Sequence, residues 1–434
     1  MIVKLEKFLK KIVEWGLYLF IFLLPWQTKL ILRPAAVNFK EVGLYVSHLL
    51  LLAILILFFV YKLKKKESKE KITLTWLALL GTSIFILVSF FFSSDQVLSF
   101  YHYFLFLLGI GLFCLLREEV CVIDGYGCLL NKTKIIFSFL AGIFLQAVLG
   151  IYQFLTQSSF ACKYLGLARH DPGALGTAVA EAASGRWLRA YGGFDHPNIF
   201  GGVLAISLIL AAYLLARKKM ITKNREITES ILIFIFYFVS LFALFFSFSR
   251  AAWLAYGVGL LILLAIFIFQ RDRWAIGRFL VLMFFSIIMI LIVAIPYQDL
   301  LQARINGEMR LEQKSLNERK EQLFQARDMI QENLLFGVGV GNYVAVLEKG
   351  DGQAQEPWNY QPVHDVFLLL WAQSGVFALA GFLIFLLSLT IKKNRRRTFP
   401  LAILGALAVL MLLDHWLLSL PFGVLFLFLI LGLL

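Results

Sequence analysis

Twelve stretches of mainly apolar residues, set between short charged runs, constrain this chain more than any motif in it. A helix needs ~20 mostly apolar residues to cross a ~30 Å hydrocarbon layer. Inside that layer every backbone N–H and C=O must find a partner within the protein. The stretches run near 12–30, 42–61, 72–92, 99–116, 135–156, 197–216, 230–248, 251–270, 279–297, 365–391, 399–417 and 419–434. Composition agrees, because 60% of the 434 residues are apolar and 16% charged, against ~45–50% and ~25% in soluble domains. The mean hydropathy is +0.82. The expected fold class is therefore an all-α polytopic membrane protein with about 12 transmembrane helices.

The net charge of +14 would suit a nucleic-acid partner, but its placement suits a membrane better. With a cytoplasmic N-terminus, 26 of the 41 Lys and Arg fall in inner segments, as positive charge does beside a bilayer. Anionic lipid then accounts for the surplus, and no nucleic acid is expected. Both termini come out cytoplasmic. Cys114, Cys121, Cys128 and Cys162 have neither disulfide-framework nor zinc spacing. No Asp-x-Asp is present and no His/Cys/carboxylate cluster suggests a tightly bound metal, so no metal and no cofactor is expected.

Two outer segments are long, near 157–196 and 298–364, and long loops generally serve a function. The second carries a helix signal, with a capping box from Ser315 to Glu318. The expected organisation is 1–190 (first helices and outer loop), 191–297 (central helices), 298–364 (large loop between spans nine and ten, with short helices) and 365–434 (last helices).

Candidate chemistry gathers on the outer side. Arg250 sits in Ser249-Arg250-Ala251-Ala252, between two apolar segments with almost no loop. A mid-bilayer Arg costs ~2.5–3.5 kcal/mol on insertion scales, so it should face a polar cavity or the rim. His196 and Asn198 mark the loop's entry into the sixth segment. For Asn198 and Pro197 a helix start is a sufficient reason, while His196 is either a polarised base or a boundary residue. His364 and Asp365 open the tenth segment. Asp365 fits a helix cap and His364 a general acid or base, the two readings standing level. Arg319, Lys320 and Arg327 lie on the loop helix, and Arg186 and Arg189 in the earlier loop. Solvated faces explain such charges in general, but an anionic ligand would also engage them. Gly337-Val338-Gly339-Val340-Gly341-Asn342 follows a helix and not a strand, so it is no nucleotide loop.

The order of these pieces is informative. Gly193-Phe194-Asp195-His196-Pro197-Asn198 precedes Ser249-Arg250-Ala251-Ala252, then Asn317-Glu318-Arg319 and Phe324-x-Ala326. Phe336 to Tyr343, His364-Asp365-Val366-Phe367 and Gln373-Ser374-Gly375 follow. Over roughly residues 190–380 this resembles the O-antigen ligase and polymerase family of bacterial membrane glycosyltransferases. Departures are Asp365 where the family usually has Asn, Phe324 where it often has Trp, and Gln373 where it often has Glu.

The resemblance implies a GT-C-like architecture and transfer of a glycan from an undecaprenyl-diphosphate carrier to an acceptor hydroxyl. That places the chain at the outer face of a bacterial inner membrane, metal-independent and inverting. His364, Arg250 and Arg319 would be catalytic. Arg186, Arg189, His196, Asn198, Lys320, Arg327 and Asp365 would contact substrate. The partners implied are a lipid-linked glycan donor, a glycan, lipid or protein acceptor, and the bilayer. A polymerase of the same family is an alternative, as is a flippase for lipid-linked oligosaccharides.

Overall fold

In the computed structural model the described residues are 2–37, 39–64, 73–121, 130–183, 185–217, 224–307, 309–350, 356, 359–391 and 399–434. Of the inner basic runs, expected at Lys62–Lys71, Arg217–Arg225 and Lys392–Arg397, residues 65–71, 218–223 and 392–397 fall outside them. The regular structure of the described chain is helical apart from small two-stranded sheets. Nine of its helices are long and apolar enough to cross a membrane, and two shorter apolar helices lie near the C-terminus. This is an all-α polytopic membrane protein.

Contacts divide the chain into two compact units. The first comprises Met1–Phe139, Glu318–Ile391 and Asp414–Leu434, and the second Leu140–Asn317 and Lys392–Leu413. In the first, α1 (Ile2–Leu23) packs on α2 (Val46–Lys64), and α3 (Leu74–Ser89) and α4 (Gln96–Glu119) follow. The helix α1 begins some ten residues before the first apolar segment, because Glu and Lys are good helix formers although not apolar. Pro25 disfavours its continuation. A hairpin pairing Lys29–Arg33 with Val42–Tyr45 links α1 to α2.

The helix α5 (Lys132–Thr156) runs from the first unit into the second. Within the second, α6 (Pro197–Arg217) is buried along almost its whole length. It packs against α7 (Asn224–Phe246), α8 (Arg250–Phe269) and α9 (Arg273–Ala294). The loop helices α10 (Gln298–Asn306) and α11 (Arg310–Glu332) come next. The expectation of short helices holds for α10, whereas α11 has 23 residues.

The capping box expected at Ser315 is not used, since α11 starts at Arg310 and carries Ser315 in its interior. The reason is tertiary: the Leu311 N–H donates to Glu181 Oε2 at 3.2 Å, giving an orphan donor of the first turn a partner upstream. Arg310 to Lys314 are also favourable helix residues.

In the first unit α12 (Tyr343–Gly350) leads towards α13 (Val366–Ser388), which packs on α3. The contact is close at Gly381, where a Cβ would meet Thr82 Oγ1 at 2.7 Å, the small-residue device of membrane helices. In the second unit α14 (Phe399–Leu413) packs on α8 and α6. In the first, the short α15 (Trp416–Ser419) precedes α16 (Pro421–Leu433), which packs on α4.

Candidate functional site

Within the second unit a turn positions the first group of polar side chains. Gln153 Oε1 on α5 accepts the N–H of Tyr191 at 3.1 Å and of Gly192 at 2.9 Å. Gln146 Oε1 accepts that of Gly193 at 2.6 Å. Gly192 has φ +60°, a value that favours glycine. The pinned turn delivers His196 to the start of α6, where its Nδ1 accepts the Asn198 N–H at 3.1 Å. Arg189 is buried; its Nε donates to Ser247 O at 2.7 Å and its Nη2 to Asn198 Oδ1 at 2.8 Å. Arg189 thus braces the turn before α8. Arg186 lies in the hairpin of Val179–Ala182 with Gly185–Leu188, paired with Glu181 and donating to Ala174 O at 3.4 Å.

The turn into α8 is strained. Phe248 has φ +46°, rare for a non-glycine residue, and such strain costs of order 1–3 kcal/mol. Phe154, Phe245 and Trp253 surround its ring, and its carbonyl accepts Arg304 Nε at 3.0 Å. Ser249 caps α8, with its Oγ accepting the Ala252 N–H at 3.4 Å.

Arg250 opens the helix half-exposed and meets Glu312 Oε2 at 2.9 Å, while its Nη1 donates to Arg304 O at 3.4 Å. Arg304 pairs with Glu312 Oε1. Two guanidinium groups therefore share one buried carboxylate. Among the described residues of this group two guanidinium groups meet one carboxylate, an arrangement that can recruit an anion. Sequence reasoning singled out Arg250 but missed Arg304 and Glu312, which carry no local signal.

The first unit holds a second group. The buried face of α11 presents Gln322, Ala326, Met329 and Ile330, and Arg319 shares that side by helical spacing. Those apolar residues form one core with Val338, Tyr343, Val363, Leu369 and Ala372, which sets α11 over the start of α13. His364 Nδ1 lies 2.6 Å from Gln322 Oε1. The amide oxygen can only accept, so the proton sits on Nδ1 and Nε2 keeps its lone pair. Burial pulls the His364 imidazole down to about 3. His415 and Arg319 push the same way and Asp414 opposes them, so His364 is neutral at pH 7.

His415 lies edge-on to His364, with ring centroids 4.9 Å apart. Ligand atoms of His364, Asp414 and His415 lie within 4.8 Å of one another, close enough to hold a metal ion. Asp365 caps α13, its Oδ1 accepting the N–H groups of Phe367 at 2.7 Å and Leu368 at 2.9 Å. Burial raises the Asp365 carboxyl from its ordinary value, partly opposed by those two donors. The other loop cations are not brought in: Lys320 and Arg327 are exposed on α11.

The glycine-rich stretch is a docking loop for α13. Gly337, Gly339 and Gly341 all have positive φ. Val338 N donates to Ala372 O and Gly339 N to Gln373 O, each at 2.9 Å. Gly375 breaks helical geometry with φ +78°, and a Cβ there would strike Leu335 O. Asn342 locks the loop to α4: its Oδ1 accepts Asp95 N at 2.8 Å and its Nδ2 donates to Ser99 Oγ at 2.8 Å.

Residues 235–383 match the O-antigen ligase family model. The match covers about a third of the chain. Arg250, Glu312, Arg319, Gln322, His364 and the Gly375 break fall inside it, whereas Arg189, His196, Asp414 and His415 fall outside. The resemblance read from motif order is thus met by the family model over its central part. No curated protein matches the chain.

Proposed function

We propose that this chain transfers a glycan from an undecaprenyl-diphosphate carrier to an acceptor hydroxyl at the outer face of a bacterial inner membrane, as an O-antigen ligase-like enzyme. The observation that carries the reading is His364, neutral and held by Gln322 with its Nε2 lone pair free to receive a proton, within a stretch matching that family. The family match supports a membrane glycosyltransferase role in polysaccharide biosynthesis; donor and stereochemistry are our reading.

In the proposed step the acceptor oxygen attacks the anomeric carbon from the side opposite the carrier. The bond from that carbon to the bridging phosphate oxygen breaks, and the diphosphate leaves with the electron pair. The configuration inverts, and the hydroxyl proton passes to His364 Nε2. Negative charge developing on the leaving phosphate is the main electrostatic load. Arg319 beside His364 is the proposed acceptor of that charge. Arg250, with its planar fork and half-exposed position, is proposed to grip diphosphate oxygens. Arg186, Lys320 and Arg327 are left as glycan or phosphate contacts. Arg189, His196, Asn198 and Asp365 have the hydrogen bonds of positioning residues. The chemistry needs no metal ion, and the topology proposed puts both termini in the cytoplasm.

The test offers purified protein a labelled polyprenyl-diphosphate glycan with different acceptors. Capture of label by a separate lipid or protein anchor is expected for the ligase. Growth of the carrier-linked chain would make it the polymerase instead. Movement of label between leaflets without a new covalent bond would overturn the reading in favour of a flippase.

A further inference from the structure

We propose that His364, Asp414 and His415 bind one divalent transition-metal ion of the zinc class, and that an ion held there blocks transfer by occupying the lone pair of His364. The blocking half rests on the role proposed above for His364; the binding half does not.

The three side chains come from two distant parts of the sequence and meet in the first unit. His364 precedes α13, while Asp414 and His415 form the joint before α15. Asp414 and His415 are both buried. Two imidazoles and one carboxylate are the donor set of zinc sites with an open fourth position. Hard ions such as Mg²⁺ and Ca²⁺ prefer all-oxygen sites. Tetrahedral zinc with bonds of ~2.0–2.2 Å sets neighbouring ligand atoms about 3.3 Å apart. A spacing within 4.8 Å is closed by side-chain rotations of about an ångström.

The surroundings carry the argument further. A metal-bound imidazole generally has its other nitrogen fixed by a second group, which sets the ring's orientation. His364 has Nδ1 on Gln322 Oε1 at 2.6 Å, and His415 has Nδ1 on Ser419 Oγ at 2.7 Å. Each ring thus has Nδ1 held by a neighbour, which makes Nε2 the nitrogen to bind an ion. Phe39 stacks edge-on against His415, with centroids 5.4 Å apart, and limits its rotation. The backbone N–H of His415 donates to Asp414 Oδ1 at 2.8 Å, which fixes the carboxylate beside the two rings. Arg319 acts electrostatically on both imidazoles. Its charge opposes a cation, so binding is expected to be reversible rather than structural. A dissociable ion on the proposed base makes the site inhibitory.

The experiment uses the full chain, purified in detergent, stripped of metal and titrated with Co²⁺. One equivalent is expected to bind with visible absorption of a low-coordinate nitrogen and oxygen site, displaced by Zn²⁺ and untouched by Mg²⁺. His415→Ala and Asp414→Asn are expected to weaken Co²⁺ about tenfold or more. In the transfer assay each variant, measured against its own metal-free rate, is expected to need about tenfold more Zn²⁺ for inhibition. Equal Co²⁺ binding by wild type and His415→Ala, or none by wild type, would overturn the site. Binding as expected with transfer unaffected by Zn²⁺ would overturn the blocking half and count against His364 as base. Should the variants misfold, wild type decides alone. Zn²⁺ is expected to shield the half-buried His364 from diethyl pyrocarbonate, read by mass spectrometry, and equal labelling of His364 with and without Zn²⁺ would sink the proposal.

Discussion

Replacing Glu312 by Gln removes the one carboxylate shared by Arg250 and Arg304, nearly without changing volume. The side chain of Glu312 is 7% exposed and that of Arg304 12%, so theirs is a buried pair. Losing one partner of such a pair costs about 3–5 kcal/mol, because the other charge stays buried and uncompensated. Arg250 is 36% exposed, and its half of the arrangement contributes about 1 kcal/mol or less. The variant should therefore unfold about 3–4 kcal/mol more easily, seen as a lower midpoint in a tryptophan-fluorescence melt in detergent. Pyrophosphate should reverse part of the loss, since an anion bound to the folded state replaces the missing charge. Binding stabilises in proportion to RT ln(1 + [L]/Kd), about 2.7 kcal/mol at a hundredfold excess over Kd. The midpoint gained on adding pyrophosphate is expected to be larger for Glu312→Gln than for wild type. An unchanged midpoint, or an equal gain in both proteins, would refute the view of this cluster as an anion-receptive group.

Other outcomes follow from the same structure. Asn342→Asp is expected to be more harmful than Asn342→Ala, because a carboxylate cannot donate to Ser99 Oγ, Asp95 O and Val340 O. The loss should be about 2–4 kcal/mol by thermal melt, and a stable Asp variant would contradict the donor assignment. Gly375→Ala should cost about 2 kcal/mol or more, from the positive φ and the Leu335 carbonyl in the way, and yield little folded protein on gel filtration. Asp95 tests pH dependence. Burial alone would raise its carboxyl, but hydrogen bonds from Arg33 and the Leu98 N–H, with the charges of Arg33 and Lys40, leave it below its ordinary value. A carboxyl lowered on folding adds stability above its unfolded pKa of ~3.9, and that stability is lost as pH falls through the lowered value. Asp95→Asn should flatten the melting midpoint between pH 6 and pH 3 relative to wild type, and an equal slope would remove Asp95 from the acid response.

What the sequence made legible follows from the range of the physics involved. Membrane helices announce themselves locally, because twenty apolar residues in a row have few other uses; their positions are met within a few residues, from α2 to α16. Arg250 stood out for a similar reason, as a charge costly to place between two apolar segments. Its partners did not. Glu312 lies sixty-two residues further on, in a stretch where charges are ordinary. The grouping of His364 with Asp414 and His415 depends on how α13 and α15 pack, which no spacing encodes. Asp414-His415 lies near the end of the apolar segment 399–417, with no motif around it to mark it. Ser315 shows the opposite error, a sound local motif overruled by Glu181 supplying an acceptor to Leu311, four residues earlier. Gln146 and Gln153 fall within the apolar segment 135–156, where nothing local marks them, although their amides hold the turn that places His196.

The central claim is covalent transfer with a guanidinium at Arg250 gripping phosphate and an imidazole at His364 taking the proton. The most direct measurement is transfer of labelled glycan from its polyprenyl-diphosphate carrier by wild type, Arg250→Lys and His364→Ala, each shown to be folded by gel filtration. Wild type should form the new glycosidic bond. Arg250→Lys should lose most of the rate, since an ammonium keeps the charge without the fork, and His364→Ala a hundredfold or more if its contribution is of the usual ~10²–10⁴ size. Near-normal transfer by both variants would contradict the account.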